Sequence, residues 1–137
     1  IEDLADIAAK STIALVAELD DTIAGFCLVL APGADYDSVN YRWFSERYTE
    51  FVYLDRVAFP TVFQGRGLGR AMYAEVERLA GERRPTATDF TLEVNLRPRN
   101  EGSLAFHDRL GFVEVGQQET DYGALVSLMS KPLSPAT

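Results

Sequence analysis

Gly65, Gly67 and Gly69 alternate in the stretch QGRGLGR, residues 64–70, after a β-prone run and before a helical one. Glycines leave backbone N–H groups uncovered. At the start of a helix such groups, with the helix dipole behind them, attract anions and phosphate above all. The neighbouring side chains restrict whose phosphate it is. A Walker A loop needs Gly-Lys followed by Ser or Thr, whereas Gly69 is followed by Arg70 and Ala71. A dinucleotide fingerprint, G-x-G-x-x-G, needs a small third residue; counted from Gly65 that position is Arg70, and from Gly67 it is Met72. Both registers fail. A turn whose glycines merely let strand and helix pack closely stays open beside the anion reading. Elsewhere the chemistry-bearing residues are few: His107 is the only histidine and Cys27 the only cysteine.

The elements that position these residues follow from periodicity. Leu4, Ile7 and Ala8 recur at helical spacing. TIALVAEL and TIAGFCLVLA read as a hairpin turned at Asp20-Asp21, and EFVYLDRVAF (50–59) as a strand ended by Pro60. Residues 32–49, with Tyr36, Tyr41, Trp43, Phe44 and Tyr48, read as a long connection. From Leu68 to about Arg83 the period is helical, with Leu68, Met72, Val76 and Leu79 on one face. DFTLEVN (89–95) is a strand, SLAFHDRL (103–110) a helix closed by Gly111, and FVEVGQQE and ALVSLMSK a final hairpin. The expected fold is α/β (α+β): a mixed, mostly antiparallel sheet flanked by helices, forming a single domain over residues 1–137.

Composition bounds the partners. The net charge of −8 argues against nucleic acid. Residues 1–55 hold 11 of the 21 acids and 3 of the 13 bases, so the glycine stretch lies in the balanced remainder. No apolar run approaches the roughly 18–20 residues of a membrane span, so no membrane partner is expected. Cys27, alone in an apolar run, reads as a buried structural thiol and suits a cytoplasmic location. Ile1 opens inside a helical pattern, so an N-terminal part of the domain is expected to be missing.

Two segments together carry a family resemblance. Gln64-x-x-Gly67-x-Gly69, between strand and helix, resembles the acetyl-CoA pyrophosphate loop of the GNAT N-acetyltransferase superfamily. VNLRPRNEGSLAFHDRLGF resembles the second block of that superfamily, with Asn95 ending a strand, Asn100 and Ser103 opening a helix, and Phe106-His107 before Gly111-Phe112. The resemblance runs from about Ser11 to Lys131 and is similar to an uncharacterised bacterial branch. Two departures accompany it: His107 stands where the family often carries Tyr, and FPTVFQ is one residue longer than the common approach to the loop.

The resemblance implies a transferase that moves an acetyl group from acetyl-CoA to a primary amine by direct attack in a ternary complex, with no metal. The backbone of Val57, Ala58 and Phe59 would pair with the pantetheine arm. Gln64, Gly65, Arg66, Gly67, Leu68, Gly69 and Arg70 would form the pyrophosphate loop, and Asn95, Asn100, Ser103 and Phe106 would complete the cofactor site. Asn100 and Ser103 also suit plain helix capping. His107 matches the position from which the family protonates the leaving thiolate, and Asp55 or Glu93 would serve as base. Strand alternation puts Asp55 on one face with Tyr53 and Val57. The aromatic connection 32–49 occupies the position of an acceptor wall; a satellite hydrophobic cluster is the equal alternative. The acceptor would be a small-molecule or peptide amine, and exposed edge strands admit a homodimer. A non-catalytic acyl-CoA-binding sensor or interaction module of the same fold is the rival.

Overall fold

The computed structural model describes residues 4–59 and 67–133. The chain forms α1 (Leu4–Lys10), β1 (Ile13–Leu19), β2 (Thr22–Leu30), α2 (Val39–Arg47) and β3 (Phe51–Ala58), then α3 (Leu68–Arg83), β4 (Asp89–Arg97), α4 (Glu101–Arg109), β5 (Val113–Glu119) and β6 (Leu125–Pro132). The strands make one six-stranded sheet ordered β1-β2-β3-β4-β6-β5. Only β3 and β4 run parallel; the other neighbours are antiparallel. The expected mixed, mostly antiparallel sheet with flanking helices is what the chain adopts. The β1–β2 hairpin turns through Asp20 and Asp21, both at positive φ (52° and 63°), the conformation whose twist suits a two-residue hairpin.

Strand alternation divides the core in two. Val52, Leu54, Phe90, Leu92 and Val94 meet Met72, Tyr73, Val76 and Leu79 of α3 on one face of the sheet. Phe51 and Tyr53 turn to the other face, where Leu30, Val126 and Leu128 pack with Tyr41 and Phe44 of α2. Full burial of each large side chain contributes about 1.5–3 kcal/mol.

The helix α2 corrects the reading of residues 32–49 as an irregular connection. Ser38 caps it by accepting a hydrogen bond from the Tyr41 N–H at 3.3 Å. Tyr41, Phe44 and Tyr48 recur at spacings of three and four, so one helical stripe turns aromatic rings onto the sheet. Tyr41, Trp43, Phe44 and Tyr48 thus form the satellite cluster rather than a cavity wall. Tyr36 alone reaches the polar region described below.

A single irregularity on β3 opens the sheet. β3 and β4 are paired at Phe51, Val52 and Tyr53, opposite Asp89, Phe90 and Thr91. Past Tyr53, β3 follows β2 through a register shift in which Leu54 lies opposite Val29 and Arg56 opposite Leu28. Asp55 is the extra residue. Such a bulge bends and twists its strand, and it turns β3 away from β4. It also resets the alternation. Val57 lies opposite Cys27, a member of the α3-side core, and cross-strand partners share a face. The expectation that Val57 shares a face with Asp55 and Tyr53 is therefore corrected: Asp55 stays with Tyr53, while Val57 moves to the α3 side. Asp55 and its neighbour Arg56 fall on one side instead, and pair at 3.1 Å.

Candidate functional site

The opening between β3 and β4 separates two groups of polar residues. On the α3 side lies a cavity of about 670 Å³ between the end of β3, the N-terminus of α3 and one face of α4. Val57 and Phe59 line it from β3; Gly67, Leu68, Gly69 and Arg70 from α3; Asn100, Ser103, Phe106 and His107 from α4. Ala58 and Asn95 are not in its wall. Asn95 lies opposite Val126 and so faces the α2 side, with Glu93. Gln64, Gly65 and Arg66 lie outside the described residues.

The glycines divide their work. Gly67 is the N-cap of α3 with φ 75° and ψ 9°, a left-handed conformation, and no atom of the described residues lies within 4 Å of a Cβ position there. Its carbonyl accepts the first helical bond from Ala71 at 3.1 Å, leaving the N–H groups of Leu68, Gly69 and Arg70 without partners inside the helix. They face the cavity mouth, where a phosphate-type anion fits. Gly69 serves packing: a Cβ there would lie 3.1 Å from Cζ of Phe106, so its bareness brings α3 and α4 together. The packing alternative drawn from the sequence is realised at Gly69.

On α4, Asn100 accepts a hydrogen bond from the Ser103 N–H at 3.1 Å and is the N-cap. One turn later His107 is buried, with Nδ1 2.7 Å from the Ser103 carbonyl and Nε2 2.9 Å from the Tyr73 hydroxyl. A carbonyl only accepts, so Nδ1 carries the proton and Nε2 accepts from Tyr73. Burial lowers the His107 pKa against a smaller opposing contribution from the Ser103 hydrogen bond, which keeps the ring neutral. The expected acid has its one proton committed to backbone. The hydroxyl proton beside it in the cavity wall belongs to Tyr73.

The second group lies on the α2 side. Tyr53 donates to Glu93 Oε1 at 2.6 Å, and Tyr36 donates to Asp55 Oδ1 at 2.5 Å. Glu93 keeps part of its surface open but sits among protein atoms. Desolvation pushes its carboxyl up to about 7; the hydrogen bonds from Tyr53 and Asn40 oppose this, and the Asp55 charge reinforces it. A carboxylate so poised accepts protons at neutral pH far better than an ordinary glutamate. Beside it opens a cavity of about 470 Å³, with Tyr36, Asp37, Arg56, Asp121 and Tyr122 in its wall. Cys27, in contrast, is buried, and desolvation pushes its thiol up to about 11, the environment of an inert structural cysteine.

Three contributors escaped the sequence reading. Tyr73 stands beside Met72 on α3, and its spacing to Val76 and Ala80 marks a buried face without revealing a histidine partner. Tyr53 and Asn40 contact Glu93 only because β3, β4 and α2 converge. No local pattern announces that meeting. No helix among the described residues is long and apolar enough to cross a membrane.

Comparison with known proteins adds an independent finding. Residues 2–112 match the acetyltransferase (GNAT) family. The ribosomal-protein-S18-alanine N-acetyltransferase from Escherichia coli superposes with a TM-score of 0.65 at 18% identity, over 96% of this chain and 86% of that one. Ard1 from Thermoplasma volcanium gives 0.73 at 16% identity, over 96% and 78%. A protein from Bacillus anthracis str. Ames, solved in complex with acetyl coenzyme A, gives 0.68 at 16% identity, over 89% and 62%. At such identities the likeness is one of fold. Among curated proteins, none matches the sequence.

Proposed function

The chain belongs to the acetyltransferase (GNAT) family, and from that premise we propose that it transfers an acetyl group from acetyl-CoA to a primary amine by direct attack in a ternary complex. One observation carries the reading. A carboxylate poised near neutrality, Glu93, lies at the opening of the sheet, with the glycine-capped end of α3 on the opposite side.

When bound, acetyl-CoA supplies the acyl group as an activated thioester. The N–H groups of Leu68, Gly69 and Arg70 hold its pyrophosphate, and the Arg70 side chain adds a charge-assisted contact. The β3 edge beyond Tyr53 is released from β4. The N–H groups near the end of β3 that point away from β2 hydrogen-bond the pantetheine arm and the carbonyl oxygen that gains charge. Asn95 and Phe106 flank that path.

The acceptor amine enters from the α2 side. Glu93 takes its proton, which a free alkylammonium must lose before it can attack. Asp55, held by Tyr36 and Arg56, keeps negative potential beside the incoming cation. On the far side the Tyr73 hydroxyl, whose one proton rests on His107 Nε2, turns it to the leaving sulfur and stabilises the thiolate by a hydrogen bond. Burial raises the Tyr73 pKa, so the proton that neutralises the thiolate comes from solvent. His107 acts through Tyr73, fixing that hydroxyl with an Nε2 whose tautomer is set by Ser103.

Release of free thiol from acetyl-CoA tests the reading, with an acceptor panel spanning small amines, polyamines and peptide N-termini. Turnover with at least one acceptor is expected, falling about 10²-fold or more in Glu93→Gln with acetyl-CoA affinity retained. Tight acetyl-CoA binding without turnover across the panel would instead assign the chain to the non-catalytic binding modules of this fold.

A further inference from the structure

Tyr122 is 62% exposed in the turn between β5 and β6, yet it is held at both ends. Thr120 closes the turn: its N–H donates to the Ala124 carbonyl at 2.8 Å, and its Oγ1 accepts from the Ala124 N–H at 2.9 Å. Gly123 supplies a positive φ of 84°. The hydroxyl end is fixed from α2. Gln118 of β5 donates through Nε2 to the Val39 carbonyl and to Asn40 Oδ1, each at 3.1 Å. A carbonyl only accepts, so both amides are oriented. Nδ2 of Asn40, a residue at 2% exposure, then donates to the Tyr122 hydroxyl at 3.1 Å. Loop tips ordinarily carry mobile side chains; here a buried amide anchors an exposed ring.

Tyr36 is its counterpart. Its hydroxyl donates to Asp55 Oδ1 at 2.5 Å, and its ring meets that of Tyr41 edge-on with centroids 5.8 Å apart. Both anchored tyrosines line the α2-side cavity of about 470 Å³, and each brings the aspartate beside it in sequence, Asp37 and Asp121. Among the described residues, Arg56 is the one base in that wall, and it pairs with Asp55 at 3.1 Å. Arg42 pairs with Asp37 on the exposed surface, where such a contact is weak and readily exchanged. Two anchored rings amid an excess of carboxylates suit a cation, which aromatic faces and negative potential both attract. Rings already fixed lose little rotamer freedom when a ligand arrives.

We propose that this cavity is a subsite for a second positive charge on the acceptor, so that the chain acts on short linear diamines or polyamines, with Tyr36 and Tyr122 setting the preference. The inference rests on the transferase reading and on entry of the reacting amine beside Glu93. Tyr36 joins the two places: it lines the cavity while its hydroxyl holds Asp55, two residues along β3 from the Tyr53 that donates to Glu93. An acceptor with one nitrogen at Glu93 extends its far end past Asp55 to the two tyrosines.

The test compares kcat/KM for 1,5-diaminopentane, pentylamine, 6-aminohexanoate and a peptide without basic residues. Per amine group, the diamine is expected to exceed pentylamine about tenfold, with the aminohexanoate poorest. The ratio of diamine to pentylamine should fall about threefold in Tyr122→Leu, and also fall in Asp121→Asn. Both changes lie at exposed turn positions. A diamine no better than pentylamine, the aminohexanoate or the peptide as the best acceptor, or a ratio unmoved in both variants overturns the proposal. Should no amine be turned over, calorimetry with 1,5-diaminopentane on the CoA-loaded protein decides. Saturable binding that weakens in Tyr122→Leu would uphold the subsite and remove the transferase reading; no binding would overturn the subsite as well.

Discussion

Replacing Glu93 with glutamine should make the protein more stable at the very pH where it removes the proposed activity. The carboxyl titrates near 7 in the fold against 4.5 for an ordinary glutamate. Between those values the native state holds a proton that the unfolded chain has released, so stability falls as pH rises through this window. Below about 4.5 both states are protonated and the contribution is nil; above about 7 the full cost is present and the slope ends. At about 1.4 kcal/mol per pH unit, the window amounts to roughly 3 kcal/mol. Partial solvent access to Glu93 reduces that to about 2–3 kcal/mol. Glutamine keeps the shape and still accepts from Tyr53, but carries no charge to desolvate. For a chain of 137 residues the melting temperature of the variant should exceed wild type by roughly 7–10 °C at pH 8. At pH 4 the two should agree. Thermal melts across pH 4–9 decide it. Parallel curves for the two proteins, or a less stable variant at pH 8, would refute the claim that this carboxylate is strained toward its neutral form.

Other expectations follow from single contacts. Tyr73→Phe leaves the buried Nε2 of His107 without its donor, at a cost of about 1–3 kcal/mol in denaturant unfolding, and should also slow kcat, because the hydroxyl faces the leaving sulfur in the proposed reaction. Gly67→Val forces a β-branched residue to φ 75°, costing about 1–2 kcal/mol. By calorimetry it should weaken acetyl-CoA binding more than about tenfold; unchanged affinity in a folded variant would leave this glycine a purely conformational role. Gly116→Ala places a Cβ 2.5 Å from the ring of Trp43, the only tryptophan in the chain. Its displacement should cost about 1–3 kcal/mol and alter the tryptophan emission, and an unaltered spectrum would contradict the contact.

The parts of this molecule that could be read from sequence are those whose cause is local. The helices α3 and α4 follow from spacing and from the glycines at their ends, and the first hairpin from two aspartates between β-prone runs. Helix α2 was hidden because Val39, Tyr41, Trp43, Phe44 and Tyr48 have high strand and cluster propensity; only the Ser38 cap and the spacing of Tyr41, Phe44 and Tyr48 betray it. The bulge at Asp55 leaves no signature, since FVYLDRVAF reads as an ordinary alternating strand. It appears only when the register against β2 is known. Glu93 and Asp55 were visible as strand carboxylates, but what distinguishes them is their partners. Tyr53, Asn40 and Tyr36 come from three different stretches of chain.

The bulge also explains why the two halves of the proposed reaction can share one strand. Without an extra residue, Asp55 and Val57 would face the same way, and Arg56 would point toward α3. With it, Asp55 and Arg56 sit together on the α2 side, from which the proposed reaction takes its acceptor, while Val57 and Phe59 line the α3-side cavity. The same distortion ends the β3–β4 ladder after Tyr53. Gly25 of β2 fits this arrangement. A Cβ at that position would lie 2.3 Å from Cδ1 of Phe59 and 2.8 Å from the Ala58 carbonyl, so only a bare residue lets the Phe59 ring and that carbonyl lie against β2. One inserted residue on β3, with one glycine beside the end of that strand, thus separates the proposed acid–base side from the proposed cofactor side.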